Sequence, residues 1–159
     1  MKAAKMIALA ILIAVSMVPG LLNAQVVSSR EAESNFQEEE IRQFIDRYVD
    51  RYKAKDIDQY MALFSEKAVE NRMYPYADIR PYYKKVFGET GRFEYYVNLY
   101  SIQRFKSNAF AAGRYKIIQT LKGGNDMRTF QGNIQWILIR EDGSLKIREL
   151  NYGLERQTD

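Results

Sequence analysis

The sequence predicts an α+β fold in which three N-terminal helices pack on a strongly bent antiparallel sheet to form a cone. The sheet is expected to have four long strands plus one short one. Two observations carry this prediction. Apolar residues recur at helical spacing as far as Phe87, and beyond Gly88 their period changes from 3.6 to 2. The last strand segment also shifts phase partway along, which requires a bulge and therefore a bend.

The first helix is marked by Ile41, Phe44, Ile45, Tyr48, Val49 and Tyr52, an apolar stripe at i, i+3, i+4, i+7, i+8 and i+11. Ser34-Asn35-Phe36-Gln37 ahead of it has the spacing of a capping box. Glu38, Glu39 and Glu40 fall in its first turns and Arg51, Lys53 and Lys55 at its end, complementing the helix dipole. The acidic run therefore reads as a solvated helix start and not as a metal site. Asp56, followed by Gln59, caps a second helix with Ile57, Tyr60, Met61 and Phe64 on its buried face. Residues 65–72 form a connector with a short strand at Ala68-Val69-Glu70. After the loop Tyr74-Pro75-Tyr76-Ala77-Asp78, Asp78 caps a third helix over 79–87, with Pro81 in its first turn, where no donor is missed.

Four long strands are then predicted at 93–106, 109–122, 127–140 and 145–155. The turns between them are short, so neighbouring strands run antiparallel. Leu145 and Ile147 share one face, whereas Leu150, Tyr152 and Leu154 lie on the other parity. One extra residue near Arg148-Glu149 returns both sets to the same side. Thr129, Gln131, Asn133 and Gln135 form a polar stripe that reads as the wet outer side of the sheet, the pocket-facing side being the alternative. Trp136-Ile137-Leu138-Ile139 is apolar on both parities, so both faces of the sheet are expected to be covered there.

Composition removes several kinds of chemistry. Among 159 residues there is no His and no Cys. Disulfides, thiolate nucleophiles, Ser-His-Asp triads and His- or Cys-ligated metals are therefore excluded. Carboxylates, Tyr, Lys and Arg remain, and neither a metal nor a cofactor is expected. Lys2 and Lys5, the apolar run 6–18, Pro19-Gly20 and the small Ala24 before Gln25 make the three-part pattern of a secretory signal. The apolar run of 13 residues is short against the roughly 20 of a membrane span. Residues 1–24 are thus expected to be removed from a periplasmic or secreted product with no stable membrane span. Leu22, three residues before the cut, leaves an uncleaved anchor as the alternative. Without that segment the formal charge falls from +4 to +2, and the Arg residues are scattered among acids from Arg30 to Arg156. Nucleic-acid binding is not expected of such a surface. Residues 25–37 read as a flexible lead-in and 38–155 as the folded domain.

The order helix, helix, short helix and four long strands resembles the NTF2-like superfamily, also called SnoaL-like or cystatin-type cone proteins. The resemblance is carried by Ile41-Arg42-Gln43-Phe44-Ile45-Asp46-Arg47-Tyr48 with Lys55-Asp56-Ile57-Asp58-Gln59-Tyr60-Met61-Ala62-Leu63-Phe64. It continues in Gly132-Asn133-Ile134-Gln135-Trp136-Ile137-Leu138 and Asp142-Gly143-Ser144-Leu145-Lys146-Ile147-Arg148-Glu149-Leu150. Tyr76-Ala77-Asp78-Ile79-Arg80-Pro81-Tyr82-Tyr83, followed by Phe87, is similar to NTF2-like domains attached to bacterial envelope and cell-wall proteins. The resemblance implies a concave interior open at its wide end and a homodimer through the sheet. Catalytic members such as ketosteroid isomerases and scytalone-type dehydratases place an Asp base with a Tyr or carboxyl donor, or a His-Asp pair, inside the cone. The His-Asp version is impossible here. The cores of the four long strands offer only Glu94 and Glu149 as acids, and the isomerase Asp has no matching residue.

With 12 Tyr and one Trp the chain is rich in aromatic side chains. Tyr52, Tyr60, Tyr76, Tyr83, Tyr96, Trp136 and Tyr152 are the candidates to line the mouth of the cone, where rings with hydroxyls suit a flat or amphipathic ligand. The alternative is that these rings fill the core. Tyr76, Asp78 and Arg80 form the sharpest local constellation, with Asp78 as a base beside a Tyr donor or, more simply, as a helix cap. The sequence reading is therefore an exported, non-catalytic binding or accessory module of the cell envelope, taking a small apolar or aromatic ligand or an envelope protein. An isomerase, dehydratase or hydrolase using a carboxylate and Tyr, and a purely structural dimeric domain, are the competing readings. A carboxylate within hydrogen-bond reach of a Tyr hydroxyl inside the cone favours the enzyme.

Overall fold

A computed structural model describes residues 35–124 and 126–155; the expected signal, most of the expected lead-in and Ser34 lie outside the described residues. Helix α1 (Glu38–Ala54) buries Ile41, Phe44, Ile45, Tyr48 and Tyr52, the stripe that its periodicity predicts. Gln37 itself is the N-cap and its side chain makes no capping bond, so Gln37 does not play the part that the capping box assigns it. Phe36 is buried in the core beneath the Arg140 guanidinium. At the other end Lys55 adopts a left-handed conformation and its ammonium donates to the Thr90 and Gly91 carbonyls at 3.0 and 2.5 Å. That contact ties the end of α1 to the start of the sheet.

Helix α2 (Ile57–Met61) is capped by Asp56, whose carboxylate accepts the Gln59 N–H at 3.1 Å. It is one turn shorter than expected, and Phe64 opens strand β1 (Phe64–Glu70) instead of closing the helix. The chain is drawn into the sheet here because Ile147 N–H donates to the Leu63 carbonyl at 2.8 Å. After β2 (Tyr74–Pro75), helix α3 (Tyr76–Glu89) begins directly behind Pro75, two residues before the expected cap. Asp78 is therefore a first-turn acid and not the cap, and Pro81 falls in the second turn, where it removes one intrahelical donor. Gly88 does not end the helix. Instead the Thr90 hydroxyl donates to the Val86 carbonyl at 2.6 Å and satisfies the last turn.

Strands β3 (Thr90–Arg104), β4 (Ala109–Leu121), β5 (Met127–Glu141) and β6 (Ser144–Tyr152) form an antiparallel meander, as the alternation predicts. Ile137 pairs with Glu149 and Leu138 with Ile147, so Arg148 is the extra residue of the expected bulge. Its guanidinium donates to the Lys67 carbonyl of β1. Two further shifts, at Gly91 and Tyr100, bend β3.

The complete sheet has six strands in the order β2-β1-β6-β5-β4-β3 and is mixed, because β1 runs parallel to β6. The expected antiparallel sheet of four long strands and one short one, with all helices preceding it, is corrected on both points. The segment after α2 is long enough to lie along β6 and α3 follows it, so only α1 and α2 precede the sheet. The core lies between the helices and the inner sheet face, where Trp136, Leu138, Ile147 and Leu150 are fully buried. Thr129, Gln131, Asn133 and Gln135 pair with Ile118, Lys116, Arg114 and Ala112 on the opposite, outer face. Among the described residues, no helix is long and apolar enough to cross a membrane.

Candidate functional site

Strand alternation decides which side chains enter the cone. Cross-strand partners share a face, so the pairs Tyr95 with Ile117, Ile117 with Phe130 and Ile134 with Tyr152 place one continuous set on the inner side. Helix α1 adds Tyr48 and Tyr52, one turn apart on its buried stripe, and α3 adds Tyr82, Tyr83 and Val86. Together they enclose a cavity of about 250 Å³, with Gln119, Arg128, Glu89 and Leu154 also in its lining. A second cavity of about 440 Å³ opens beside it, lined by Glu70, Asn71, Tyr74, Asp78, Ile79, Tyr82 and Tyr152. Tyr82 and Tyr152 belong to both linings and form the partition between the two spaces.

Glu70 stands at that partition. It is the last residue of β1, pairs with Leu150 of β6 and Tyr74 of β2, and is only 3 % exposed. The Tyr152 hydroxyl donates to Glu70 Oε1 at 2.5 Å, while Oε2 has no hydrogen-bond partner. Burial pushes the Glu70 carboxyl above the ordinary carboxylate range, and the nearby Tyr152 and Tyr83 hydroxyls only partly oppose this. The Tyr83 hydroxyl is close enough to act electrostatically but makes no well-formed bond to Oε2, which the geometry leaves free.

Tyr152 is held from both ends. Its N–H donates to Asn71 Oδ1 at 2.8 Å, and the Asn71 N–H donates in turn to the Leu150 carbonyl at 2.8 Å. Asn71 and Arg72 both take positive φ in the tight turn after β1, a conformation that Asn tolerates better than most residues.

The buried tyrosines around Glu70 are neutral donors. Burial raises the pKa of Tyr48, Tyr52, Tyr60, Tyr83 and Tyr95, and the proximity of Glu70 adds to the rise in most of them. The Tyr60 hydroxyl donates to that of Tyr48 at 3.2 Å. Tyr52 is the hub of the aromatic packing, with Phe93 and Tyr95 at ring separations of 4.7 and 5.0 Å and Tyr60, Tyr83 and Phe87 edge-on around it.

The structure brings together three of the tyrosines singled out from sequence, Tyr52, Tyr83 and Tyr152, in the lining of one cavity. Tyr60 and Trp136 are fully buried in the core, Trp136 edge-on to Tyr48 at 5.6 Å, and neither is in the lining of the two cavities. Tyr76 is half-buried at the start of α3, packed against the core. Asp78 is exposed and lines the second cavity. Arg80 is turned to Asp58 in an ion pair, so Tyr76, Asp78 and Arg80 do not converge. Tyr96 projects from the outer face and donates to Glu94 at 2.9 Å. Glu94 and Glu149 also belong to that outer face.

Sequence reasoning missed Glu70 as a site residue. Its only signal is an acid two positions after Ala68 on a short strand, the parity that turns out to face inward. Tyr48, Tyr82, Tyr95, Tyr115 and Arg128 were also unassigned to the site. No group of three or more acidic residues suited to a metal ion occurs among the described residues.

No family model and no curated protein matches the sequence. Solved structures do. An NTF2-like superfamily protein from Salmonella enterica superposes with a TM-score of 0.65 at 16% identity, over 76% of this chain and 92% of that one. A ketosteroid isomerase-like protein from Erwinia carotovora gives a TM-score of 0.63 at 18% identity, over 76% and 99% of the two chains. A conserved protein from Planctomyces limnophilus gives 0.68 at 15% identity, over 74% and 97%. At these identities the likeness is one of fold.

Proposed function

From the NTF2-like fold that this chain has, we propose that the protein binds a small amphipathic molecule inside its cone. The ligand's polar group meets Glu70 and its apolar body lies against the tyrosine and phenylalanine wall. The observation that carries this reading is the Glu70 carboxyl, 3 % exposed with Oε2 unpartnered at the junction of two cavities. An unused carboxyl oxygen at such a place costs stability and is rare in a purely structural core. A ligand hydroxyl or carbonyl would satisfy it. The protein acts, in this reading, as a non-catalytic accessory module of the envelope, exported by its N-terminal signal to the periplasm or beyond and paired as a homodimer through the outer sheet face. Native mass spectrometry of the purified mature protein tests ligand and dimer together. A dimer with a retained small-molecule mass is expected; a monomer carrying nothing sinks both.

A second reading, proton transfer on the bound molecule, is favoured by the same carboxyl. Burial makes Glu70 hold its proton more readily than an ordinary carboxyl, and the Tyr152 hydroxyl orients it. The likeness to a ketosteroid isomerase-like fold supports this reading only as analogy. Glu70→Gln separates the two. If the retained molecule is turned over, the variant keeps its binding and loses activity by about 100-fold or more. If the molecule returns unchanged from the wild-type protein, the accessory module stands.

A further inference from the structure

This inference rests on the ligand-binding reading above and names the class of ligand. Around the 250 Å³ cavity the described lining residues include one cation, Arg128, and one anion, Glu89; the others are aromatic, aliphatic or amide side chains. Arg128 belongs to the inner face of β5, where it pairs with Gln119 of β4 at the rim. Arg42, Arg80, Arg92, Arg114 and Arg140 are all held in ion pairs. Arg128 has no such partner among the described residues, not even Glu89 in the same lining.

Inward from Arg128 the strands present Phe130 beside Ile117, then Gly132 beside Tyr115, then Ile134 beside Tyr152, which holds Glu70. Over Gly132 the Gly153 carbonyl takes the place of a side chain, and Leu154 beside it lines the cavity. The six residue steps from Arg128 to Ile134 span about 20 Å of extended strand. The cavity of about 250 Å³ with its aromatic walls suits a small flat body.

The tyrosines around the path are neutral and Glu70 is shifted toward its neutral form, so Arg128 is the one fixed charge on the strand walls of the cavity. Arg128 and Glu89 are both exposed, so solvent and salt screen each of them, but Arg128 stands on the strand wall and Glu89 at the last position of α3. We infer that the ligand is an organic anion, a flat apolar body with a carboxylate at one end, held at the rim by the Arg128 guanidinium, and its second polar group at the other, reaching inward to Glu70. An arginine fork matches a carboxylate with two parallel hydrogen bonds, which selects for this group over an amide of equal shape.

Calorimetric titration with 2-naphthoate and with 2-naphthamide, which differ in charge at nearly constant shape, tests the assignment. The wild-type protein is expected to bind the naphthoate about ten-fold more tightly or better, as a charge-assisted bond implies. Arg128→Gln is expected to remove that preference and leave the circular dichroism spectrum unchanged. Glu89→Gln should strengthen naphthoate binding. Equal affinities in the wild type, or a preference that survives Arg128→Gln, overturn the inference while the cone remains a binding site. Tighter binding of 2-naphthylmethylamine than of either probe overturns it in favour of Glu89. If no probe binds at millimolar concentration, the ligand-binding cone fails as well, a separate and recognisable result.

Discussion

Glu70 is the side chain in which burial and charge are most at odds, and its titration is therefore open to direct test. Burial raises its folded-state pKa above that of the unfolded chain. The proton it holds stabilises the fold fully at pH below the unfolded value, and that contribution is lost as the pH rises through the folded value. Glu70→Gln removes the titration at nearly constant volume. As the pH rises from about 4, near the unfolded value, the melting temperature of the wild type should fall relative to the variant. Glu40 is shifted the other way by its hydrogen bonds to Arg140, but it is common to both proteins and cancels in the difference. A pH-independent difference between the two melting curves would show that Glu70 titrates as it does in the unfolded chain. Nothing local identified this residue. The sequence places a short strand at Ala68-Val69-Glu70, yet an acid on a short strand is ordinarily solvated. Only the pairing of β1 between β2 and β6 turns Glu70 inward.

At the level of elements, two glycines in the folded domain differ sharply in what they permit. Gly132 of β5 lies where a Cβ would come within 1.8 Å of the Gly153 carbonyl, because residues 153–155 continue along β5 after β6 ends. Gly132→Ala should therefore cost about 1–3 kcal/mol in denaturant unfolding, and it should displace Leu154 from the cavity rim. Gly88, in the last turn of α3, has open space around the same position, and Gly88→Ala should instead be neutral or stabilise by up to about 1 kcal/mol. An equal loss in both variants would contradict this assignment. The long elements were legible because their periodicity is internal: the α1 stripe, the four meander strands and the bulge at Arg148 all follow from spacing within a single segment. The ends of α2 and α3 were not. Phe64 continues the helical spacing of α2, but the Leu63 carbonyl is captured by Ile147 of β6, a partner far away in sequence.

At the scale of the whole molecule, the outer sheet face joins the polar stripe of β5 to half-buried Ile137, Ile139 and Phe110. In the proposed homodimer these residues lie at the interface. Ile137→Lys should convert the dimer to a monomer in sedimentation velocity while leaving the circular dichroism spectrum unchanged; a variant that stays dimeric would move the interface elsewhere.

The same scale separates what the chain sets locally from what it sets only when folded. The sequence by itself determined the α+β class, the helical and strand periods, the site of the bulge and the chemistry that the absence of His and Cys removes. All of these depend on residue identity or on spacing within a few turns. The parallel pairing of β1 with β6, the mixed six-stranded sheet, the convergence of Tyr52, Tyr83 and Tyr152 and the burial of Glu70 were decided by the tertiary structure. The Tyr152 to Glu70 hydrogen bond joins residues 82 positions apart. Alternation says only that neighbouring side chains point to opposite faces. Which face becomes the inside of the cone is fixed when the helices bury one of them, and an acid's surroundings exist only after that choice.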